Sequence, residues 1–489
     1  MAGHVREKRE RSPARSERLT VSRASTGLSK VADYLAERVN GAAIAAYGVA
    51  VAAKGEVATA AGGERRVGFG EAVTTLSPFH ICSCSKAFAA LLFDTLVRDG
   101  AVSWDASVLP IVPEFELADP WIARHCAFRD LAGMRVGLTR DSVAEWGFRP
   151  DAPVETRLRR VRDMPFAAPF RDRFSYSNLN YIALATAAAR IAGMPYRACL
   201  ERLVLGPLRL ACAGATADAV HPHMPMAGEM TPVPELTGEN SQGSARVYLS
   251  ADDAAGWLDH ILGLCAAAPN GGGSELFACQ SVARSPNRSP ELPSVWGYGF
   301  GWMLAEHDGR QIFSHGGGGR GWRAMTILDA AERSAVMVML AHEGVAAEAL
   351  AFELLDLVAG RSPRDWNARF SARAAHEAKA RNDVLDLRHK SASGAPPYGS
   401  LEGLYANSVT GRVRISSETD GRLRFSAEDA PAFEAVLAPL AHGLWDFRFD
   451  NAALSKMPND PLFQARFVSG HDGGVQVETT YFGTLAKLG

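Results

Sequence analysis

SPFHICSCSKAFAALLFDTLVRDG, residues 77–100, is the stretch of this chain that decides its fold. From Ser85 on, apolar side chains recur at the spacing of one helix face, and Gly100 is a natural stop signal. Ser83 and Lys86 stand three positions apart, where this helix is expected to begin. Residues at positions i and i+3 share one face of a helix, so the sequence predicts that this hydroxyl and this amine meet.

Ser83-Cys84-Ser85-Lys86 is the only S-x-x-K pattern in the chain. A Ser hydroxyl is a weak nucleophile that needs a neighbouring base. A Lys is such a base only when it is neutral, which burial or another cation favours. At a helix N-terminus the backbone N–H of Ser83 is also free to stabilise a developing oxyanion. The alternative interpretation is a helix cap followed by an ordinary surface Lys.

Two further motifs favour the chemical interpretation. FSYSNLNYIALA, residues 174–185, places Tyr176 and Asn178 just before an Ala-rich helix. A phenol beside a cation can shuttle a proton, and an amide can orient a substrate carbonyl. SHGGGGRGW, residues 314–322, follows an apolar strand with four glycines, which let a substrate lie against the backbone. The alternatives are a Tyr that caps a core, an Asn in a turn, and a flexible glycine turn.

The rest of the chain up to residue 360 predicts one sheet built from distant segments. AIAAYGVAVAAKGEVATAAGG, residues 43–63, indicates a hairpin around Lys54-Gly55. A second strand-rich block at 296–342 contains two more hairpin signals, and an apolar helix at 345–359 follows it. A helical region rich in Ala, Leu and Arg separates the two blocks. The expected class is therefore α+β, an antiparallel sheet flanked by helices with a helical subdomain.

A change of composition marks a second domain near the C-terminus. A polar helix at about 366–388 leads into KSASGAPP, residues 390–397, which is typical of a linker. Beyond it, side chains alternate with period two around two hairpin turns, which predicts an all-β module of about 90 residues. We divide the chain into a mobile basic arm (1–27), a main domain (28–362), a helix and linker (363–397) and a β module (398–489).

Composition excludes several classes of protein. The 489 residues are 47% hydrophobic and 22% charged, and the net charge is −2, which argues against a disordered chain and a general nucleic-acid binder. No run of 18 or more apolar residues occurs, so we expect no membrane partner. The N-terminus has no apolar segment typical of a secretory signal, so we expect a cytoplasmic protein with free thiols, unless an export signal was removed.

The sequence predicts no metal and no cofactor. G-x-S-x-G, P-loop and H-E-x-x-H patterns are missing, and no lysine occurs between Lys86 and Lys379. His221 and His223 bracket a proline, and we interpret them as part of an ordinary surface loop rather than as metal ligands. Cys84 is an alternative nucleophile, but no His or Asp pattern supports it, and small buried packing is the better interpretation.

Taken together, these motifs resemble the serine β-lactamase and penicillin-binding-protein family, in particular its class C β-lactamase, esterase and D-aminopeptidase-like branch. The resemblance covers about residues 28–360. It also includes DGAVSWDASVLPIVPEF (99–115), FRDLAGMRVGL (128–138), YLSADDAAGWL (248–258) and YGFGWML (298–304). The C-terminal module resembles the lipocalin-like β-barrel that some members carry. The resemblance implies a β-lactamase/transpeptidase-like sheet, with the active site between that sheet and the helical subdomain.

The resemblance also implies a role for each motif. Ser83 would be the acylated nucleophile and Lys86 its base. Tyr176 would relay a proton, and Asn178 would orient the substrate. The backbone amides of Ser83 and Gly318 would form the oxyanion hole.

His315-Gly316-Gly317 departs from the family pattern. Many relatives carry Lys-Thr-Gly or Lys-Ser-Gly there, whereas this chain has an imidazole, which we expect to be partly charged near neutrality and to act in catalysis. This departure argues against true β-lactamase activity. The His-Gly-Gly sequence resembles that of esterases, D-amino-acid peptidases and peptide-cyclising or transacylating relatives. Gly317, Arg320 and Trp322 are further candidates for substrate binding.

The leading hypothesis is a cytoplasmic acyl-serine hydrolase of esters, thioesters or amides, D-aminoacyl or peptidyl substrates included. The alternative is a transacylase or peptide-cyclising enzyme of a biosynthetic pathway that passes the acyl group to an amine. An alternative of another class is a non-catalytic binding or scaffolding relative. The expected partners are a small or peptidyl acyl donor and, for the transacylase, an amine acceptor or carrier-bound substrate. Substrate identity and oligomeric state are left open.

Overall fold

The computed structural model describes residues 34, 44–138, 152–164, 166–211, 214–226, 229–235, 237–266, 274–284, 295–342, 347–362, 364–368, 370, 401–418, 422–428, 434–439, 444–450, 464–469, 474–479 and 483–488. The predicted basic arm (1–27) lies outside the described residues, and so does the linker at 390–397. The domain boundaries at 362 and 398 stay predictions.

The described strands form one open sheet, one closed barrel and two short pairs. In chain order they are β1 (Ala46–Ala53), β2 (Glu56–Gly63), β3 (Phe79–His80), β4 (His223–Met226), β5 (Glu229–Pro232), β6 (Tyr248–Leu249), β7 (Ser281–Arg284), β8 (Val295–Tyr298), β9 (Met303–His307), β10 (Arg310–Gly319), β11 (Trp322–Asp329), β12 (Ser334–Leu340), β13 (Gly403–Asn407), β14 (Gly411–Ser417), β15 (Leu423–Ala427), β16 (Ala435–Pro439), β17 (Leu444–Phe449), β18 (Gln464–Ser469), β19 (Val475–Thr479) and β20 (Gly483–Lys487).

The described helices lie mostly between the two strand-rich blocks of the main domain. They are α1 (Ser85–Arg98), α2 (Pro120–His125), α3 (Phe128–Ala132), α4 (Val154–Arg159), α5 (Asn178–Ala192), α6 (Tyr196–Leu200), α7 (Ala251–Ala266) and α8 (Ala347–Val358). Helix α1 ends at the predicted position, where Gly100 adopts a φ of +75° that favours glycine. Within the described part of the chain, no helix combines the length and the apolar character needed to cross a membrane.

The open sheet joins the two distant strand blocks. Its eight strands lie in the order β2-β1-β12-β11-β10-β9-β8-β7, and the described strand pairs are antiparallel. The three predicted hairpins are present as β1–β2, β9–β10 and β11–β12. Lys54 and Gly55 both have positive φ in the first of them, as a tight hairpin turn requires.

The open sheet is buried on both faces, which explains the nearly continuous apolar runs in its central strands. On one face Val336 and Val338 of β12 pack against Leu354 of helix α8. On the other face Met337 and Met339 join the large core that contains α1, α5 and α7. When both faces of a strand are buried, apolar side chains at every position stabilise the fold. The α+β class with helices on both faces of an antiparallel sheet is confirmed.

The C-terminal module is a closed barrel of eight strands, β13 to β20. Its strands alternate as predicted: in β14, Val413 and Ile415 point inward, and Arg412 and Arg414 point to solvent. Aromatic and aliphatic side chains lie in the interior, among them Trp445, which is 1% exposed. Eight strands make a barrel that side chains can fill, and the described inward-facing side chains form one buried cluster.

Candidate active site

Ser83 lies in a 3₁₀ turn, Cys82–Cys84, between strand β3 and helix α1. The turn is held in an unusual conformation, because Cys82 has a φ of +49°, which is strained for a residue with a side chain. Strand β10 packs closely against it: a Cβ on Gly317 would lie 2.3 Å from the Ile81 carbonyl oxygen. Glycine at 317 is therefore required for the strand to approach the turn that presents Ser83.

Lys86 is completely buried one helical turn after Ser83. Its Nζ lies 3.1 Å from Ser83 Oγ, 2.8 Å from Asn178 Oδ1 and 2.8 Å from the carbonyl oxygen of Ser244. Three hydrogen-bond acceptors thus satisfy the amine in a site without water contact, and they fix its direction toward the Ser83 hydroxyl. The predicted meeting of these two side chains is present.

Tyr176 approaches the same hydroxyl from the helical subdomain. Its phenol oxygen lies 2.9 Å from Ser83 Oγ and 3.3 Å from Asn178 Oδ1. Lys86 Nζ lies 4.9 Å from the centre of the Tyr176 ring. Asn178 begins helix α5, and the chain just before it places Tyr176 at the mouth of the site. Two proton-transferring groups therefore contact one nucleophile oxygen, which is half-buried and open to a substrate.

The glycine strand provides an open edge beside Ser83. Strand β9 pairs with β10 only as far as Ser314, so among the described strands only β11 pairs with the segment from His315 to Gly319. A two-residue turn joins Gly319 to Trp322, which makes these two the hydrogen-bonded pair and Gly318–Arg323 the next, unbonded pair. The Gly318 N–H then points toward the open edge, as an oxyanion-hole donor must.

His315 lies behind this edge, but not as a partly charged group. It is 1% exposed, and its Nδ1 donates to the Gly316 carbonyl oxygen at 2.8 Å. Its Nε2, 3.3 Å from the Tyr298 hydroxyl, accepts from it. Burial, with a smaller contribution from neighbouring Lys86, lowers the pKa of His315 to about 3. The expectation of partial charge near neutrality is thus wrong, because desolvation penalises the imidazolium.

Trp322, a candidate for substrate binding, is buried in the structure. Its side chain is 1% exposed, packs edge-on against His80 at 5.9 Å, and donates its Nε1–H to Glu235 Oε2 at 2.8 Å. We therefore assign Trp322 to the packing beneath the nucleophile turn. Arg320 lies half-buried in the turn after β10, and its buried Nε has no hydrogen-bond acceptor among the described residues.

The remaining alternatives from the sequence are disfavoured by burial. Burial raises the pKa of the Cys84 thiol to about 12, so it stays protonated and is a poor nucleophile at neutral pH. His223 is not in a surface loop, because it is buried and its Nε2 accepts the Val67 N–H at 3.1 Å. Within the described ranges, no three His, Cys, Asp or Glu side chains come together as a metal site would require.

The site uses two groups that sequence reasoning missed. The Ser244 carbonyl oxygen accepts a hydrogen bond from Lys86. A pattern of residue types cannot predict a contact with a backbone oxygen. The preceding Gly243 has a φ of +81°, and a Cβ there would lie 2.4 Å from the Tyr181 carbonyl oxygen, so this glycine was the only local sign. Tyr298, in the segment YGFGWML, donates to His315 and could have been identified only from the resemblance.

The arrangement has the parts of a serine acyl-transfer site. A half-exposed hydroxyl contacts an amine and a phenol, an amide carbonyl orients the amine, and two backbone N–H groups lie at a helix start and an open strand edge. These groups can take a proton from an attacking oxygen, stabilise a tetrahedral oxyanion and return a proton to a leaving group.

Comparison with known proteins agrees with this geometry. The sequence model of the Beta-lactamase family matches residues 31–359. A D-aminopeptidase from Cereibacter sphaeroides is 28% identical over 306 residues, which are 58% of this chain and 55% of that protein. The chain thus spans about half the length of the curated relatives it matches.

Solved structures show the same fold. The octameric penicillin-binding protein homologue from Pyrococcus abyssi matches with a TM-score of 0.59 and 18% identity, over 94% of this chain and 100% of that chain. The D-amino acid amidase from Ochrobactrum anthropi SV3 matches with a TM-score of 0.55 and 19% identity, over 68% and 97%. Because the family match spans more than half of the chain and includes the residues around Ser83, this protein belongs to the β-lactamase family of serine hydrolases.

Proposed function

We propose that this chain is an acyl-serine hydrolase that cleaves an amide, ester or thioester through an acyl-Ser83 intermediate. The observation that carries the proposal is the position of Ser83 Oγ, which lies 3.1 Å from Lys86 Nζ and 2.9 Å from the Tyr176 hydroxyl. The complete set of catalytic side chains favours an enzyme over a non-catalytic binding relative, because such relatives usually lose one of them.

The proposed reaction has two steps. In acylation, Lys86 takes the Ser83 proton, Oγ attacks the carbonyl carbon, and the backbone N–H groups of Ser83 and Gly318 bind the oxyanion. Tyr176 gives a proton to the leaving group as the scissile bond breaks, and it recovers one through Lys86. In deacylation, water attacks the acyl carbon, loses a proton to the same pair and regenerates the Ser83 hydroxyl.

D-aminoacyl and D-peptidyl donors are the substrate class we propose. The support comes from relatives, since a D-aminopeptidase and a D-amino acid amidase share the sequence or the fold over the main domain. The neutral His315 supports a further point. It supplies no cation for a substrate carboxylate, so anionic penicillins are poor substrates.

Transfer of the acyl group to an amine remains the second proposed activity. The open edge of β10 beside Ser83 gives an acceptor the same access as water. The cysteines among the described residues are free thiols, which supports our proposal of a reducing, cytoplasmic location. We also propose that the partners are small or peptidyl acyl donors and amine acceptors, with neither nucleic acid nor membrane among them.

Covalent labelling tests the proposed function. A fluorophosphonate probe and a panel of D- and L-aminoacyl esters, thioesters and penicillins are incubated with the protein, and intact mass is recorded. We expect one adduct on Ser83, D-aminoacyl adducts that turn over, and none in Ser83→Ala. A protein that keeps its mass with every probe would contradict the proposal, and a faster L-aminoacyl than D-aminoacyl reaction would contradict the stereochemistry.

A further inference from the structure

The Glu348 carboxylate lies near the open edge of β10, beside the glycine segment 316–319. Glu348 lies exposed in the first turn of helix α8, and its Oε1 is 3.8 Å from the place that a Cβ on Gly316 would occupy. This carboxylate lies on the face of β10 opposite to the Ser83 turn, because the Cβ positions of Gly316 and Gly317 point to opposite faces of the strand. A substrate that lies along the open edge is accessible from both faces, and the glycine at 316 leaves the α8 face of that edge without a side chain. Within the described chain, no side chain forms an ion pair or hydrogen bond with Glu348.

The Gly316 end of the edge is the side from which a leaving group departs. The oxyanion donor is at Gly318, so the two ends of the substrate extend in opposite directions along the strand. Tyr176, the proton donor for the leaving group, belongs to the Gly316 end: its neighbour Phe174 contacts Tyr298 at a ring distance of 5.0 Å. Tyr298 in turn donates to His315.

On the face of β10 toward which Cβ atoms on Gly316 and Gly318 would point, the charge near Gly316 differs from the charge near Gly318. At the Gly318 end, the Arg323 guanidinium lies 3.6 Å from the place of a Cβ on Gly318 and donates to the Gly319 carbonyl oxygen at 3.0 Å. At the Gly316 end, Glu348 is the only charged side chain of the described residues within 4 Å of the place of a Cβ on Gly316. The neighbouring His315 adds no positive charge, because it is buried and neutral. The leaving-group end therefore carries negative potential.

We propose that Glu348 is a specificity-determining residue, which makes the leaving-group subsite select amines that carry a second, positively charged group. This inference rests on the proposed function and names the class of amine for its active site. The same subsite receives an amine acceptor in transacylation, so cationic diamines are the acceptors it favours. An exposed ion pair changes affinity by up to about fivefold, and a like charge opposes binding by a similar factor.

The test compares three donors with the same D-phenylalanyl group and leaving amines of similar size. The leaving amines are 1,2-diaminoethane, glycinamide and glycine, whose far ends are cationic, neutral and anionic. We expect kcat/KM to fall in that order in the unchanged protein, with about a tenfold or greater ratio between the cationic and anionic donors. Glu348→Gln brings this ratio close to one, and Glu348→Lys reverses it.

Glu306→Gln is the matched control, because Glu306 is an exposed carboxylate on β9, near the hairpin that lies away from the cleft. We expect it to keep the ratio of the unchanged protein. Thermal unfolding of all variants separates specificity from the favourable position of an acidic residue in a first helical turn, which affects stability but not the ratio. If the donors acylate Ser83 and Glu348→Gln leaves the ratio unchanged, only this inference is overturned. If no donor acylates Ser83, the proposed function fails, and the inference fails with it.

Discussion

The two eight-stranded sheets of this protein treat their edges in opposite ways. The open sheet leaves one edge of β10 unpaired from His315 to Gly319, and it brings the Ser83 turn against that edge. The C-terminal sheet closes on itself through the β13–β20 pair, so it has no such edge. Unpaired N–H groups at a sheet edge can pair with another chain and cause aggregation, but they are also the donors that an oxyanion hole needs.

Their interiors differ in the same sense. Beside the open edge a lysine is fully buried, and three oxygen acceptors satisfy it. Inside the barrel, Phe425 packs against Phe447, and Trp445 belongs to the same buried cluster of aromatic and aliphatic side chains. The first interior is costly and reactive, and the second is stable and inert. The comparison supports our proposal that the chemistry of this chain lies at the open sheet, and it shows that the described side chains inside the barrel form one apolar cluster.

Lys86→Met tests the reactive interior and has the largest expected effect. Methionine keeps most of the side-chain length, but it removes the amine that we propose takes the Ser83 proton. We expect the acylation rate to fall about a thousandfold or more, measured with a D-aminoacyl ester under single-turnover conditions. Lys54→Met is the control, because Lys54 is exposed in the β1–β2 turn. An acylation rate within tenfold of the unchanged protein would contradict the role of Lys86.

Trp445→Ala tests the inert interior. Loss of a fully buried Trp is expected to lower the free energy of unfolding of the barrel by about 3–5 kcal/mol, measured by hydrogen exchange of its strands. Below the unfolding temperature, Ser83 acylation is expected to stay within about twofold. Trp257→Ala is the matched comparison, because Trp257 stacks on Phe88 of helix α1 at 3.7 Å, and we expect it to lower acylation. Equal kinetic losses in both variants would show that the barrel shares in the site.

His315 gives the smallest expected effect, and it concerns pH. Its pKa is about 3 in the folded protein and 6.5 in the unfolded chain, so between these values the unfolded state binds the extra proton. Stability contributed by the neutral imidazole is present above pH 6.5 and is lost as the pH falls toward 3. Between pH 7 and pH 4, the free energy of unfolding of His315→Gln is expected to fall by about 3 kcal/mol less than that of the unchanged protein. Urea unfolding at the two pH values measures this difference.

Exposed His125 provides the control for that measurement, since His125→Gln removes an imidazole that solvent already reaches. We expect it to leave the difference between pH 7 and pH 4 nearly unchanged. The kcat/KM profile of the unchanged protein should also show no inflection between pH 6 and pH 8 that His315→Gln removes. Such an inflection would restore a charged role for His315.

Local patterns predicted much of the fold. Helix α1, the three hairpins of the open sheet and the alternating strands of the barrel follow from apolar spacing and turn residues. The order of strands in the open sheet does not, because β1 pairs with β12 nearly three hundred residues later, and local spacing carries no information about such a contact. The structure of the predicted arm and linker lies outside the described residues.

For the candidate site, the sequence predicted Ser83, Lys86 and Tyr176, and the structure brings these three side chains together. It did not identify the Ser244 carbonyl, and it assigned His315 a partial charge and Trp322 a candidate role in substrate binding. These three depend on burial and on contacts between distant segments, which decide whether an imidazole is neutral or an indole is hidden.

The sequence by itself determined that a hydroxyl and an amine share the first turn of a helix, because side chains three positions apart in a helix must lie together. Only the tertiary structure decided that a phenol and an unpaired strand edge meet them there, and that a carboxylate rather than a cation stands at one end of that edge. The reason is that a charge acquires its chemical role from the distance and burial of its neighbours, and both are properties of the packed chain.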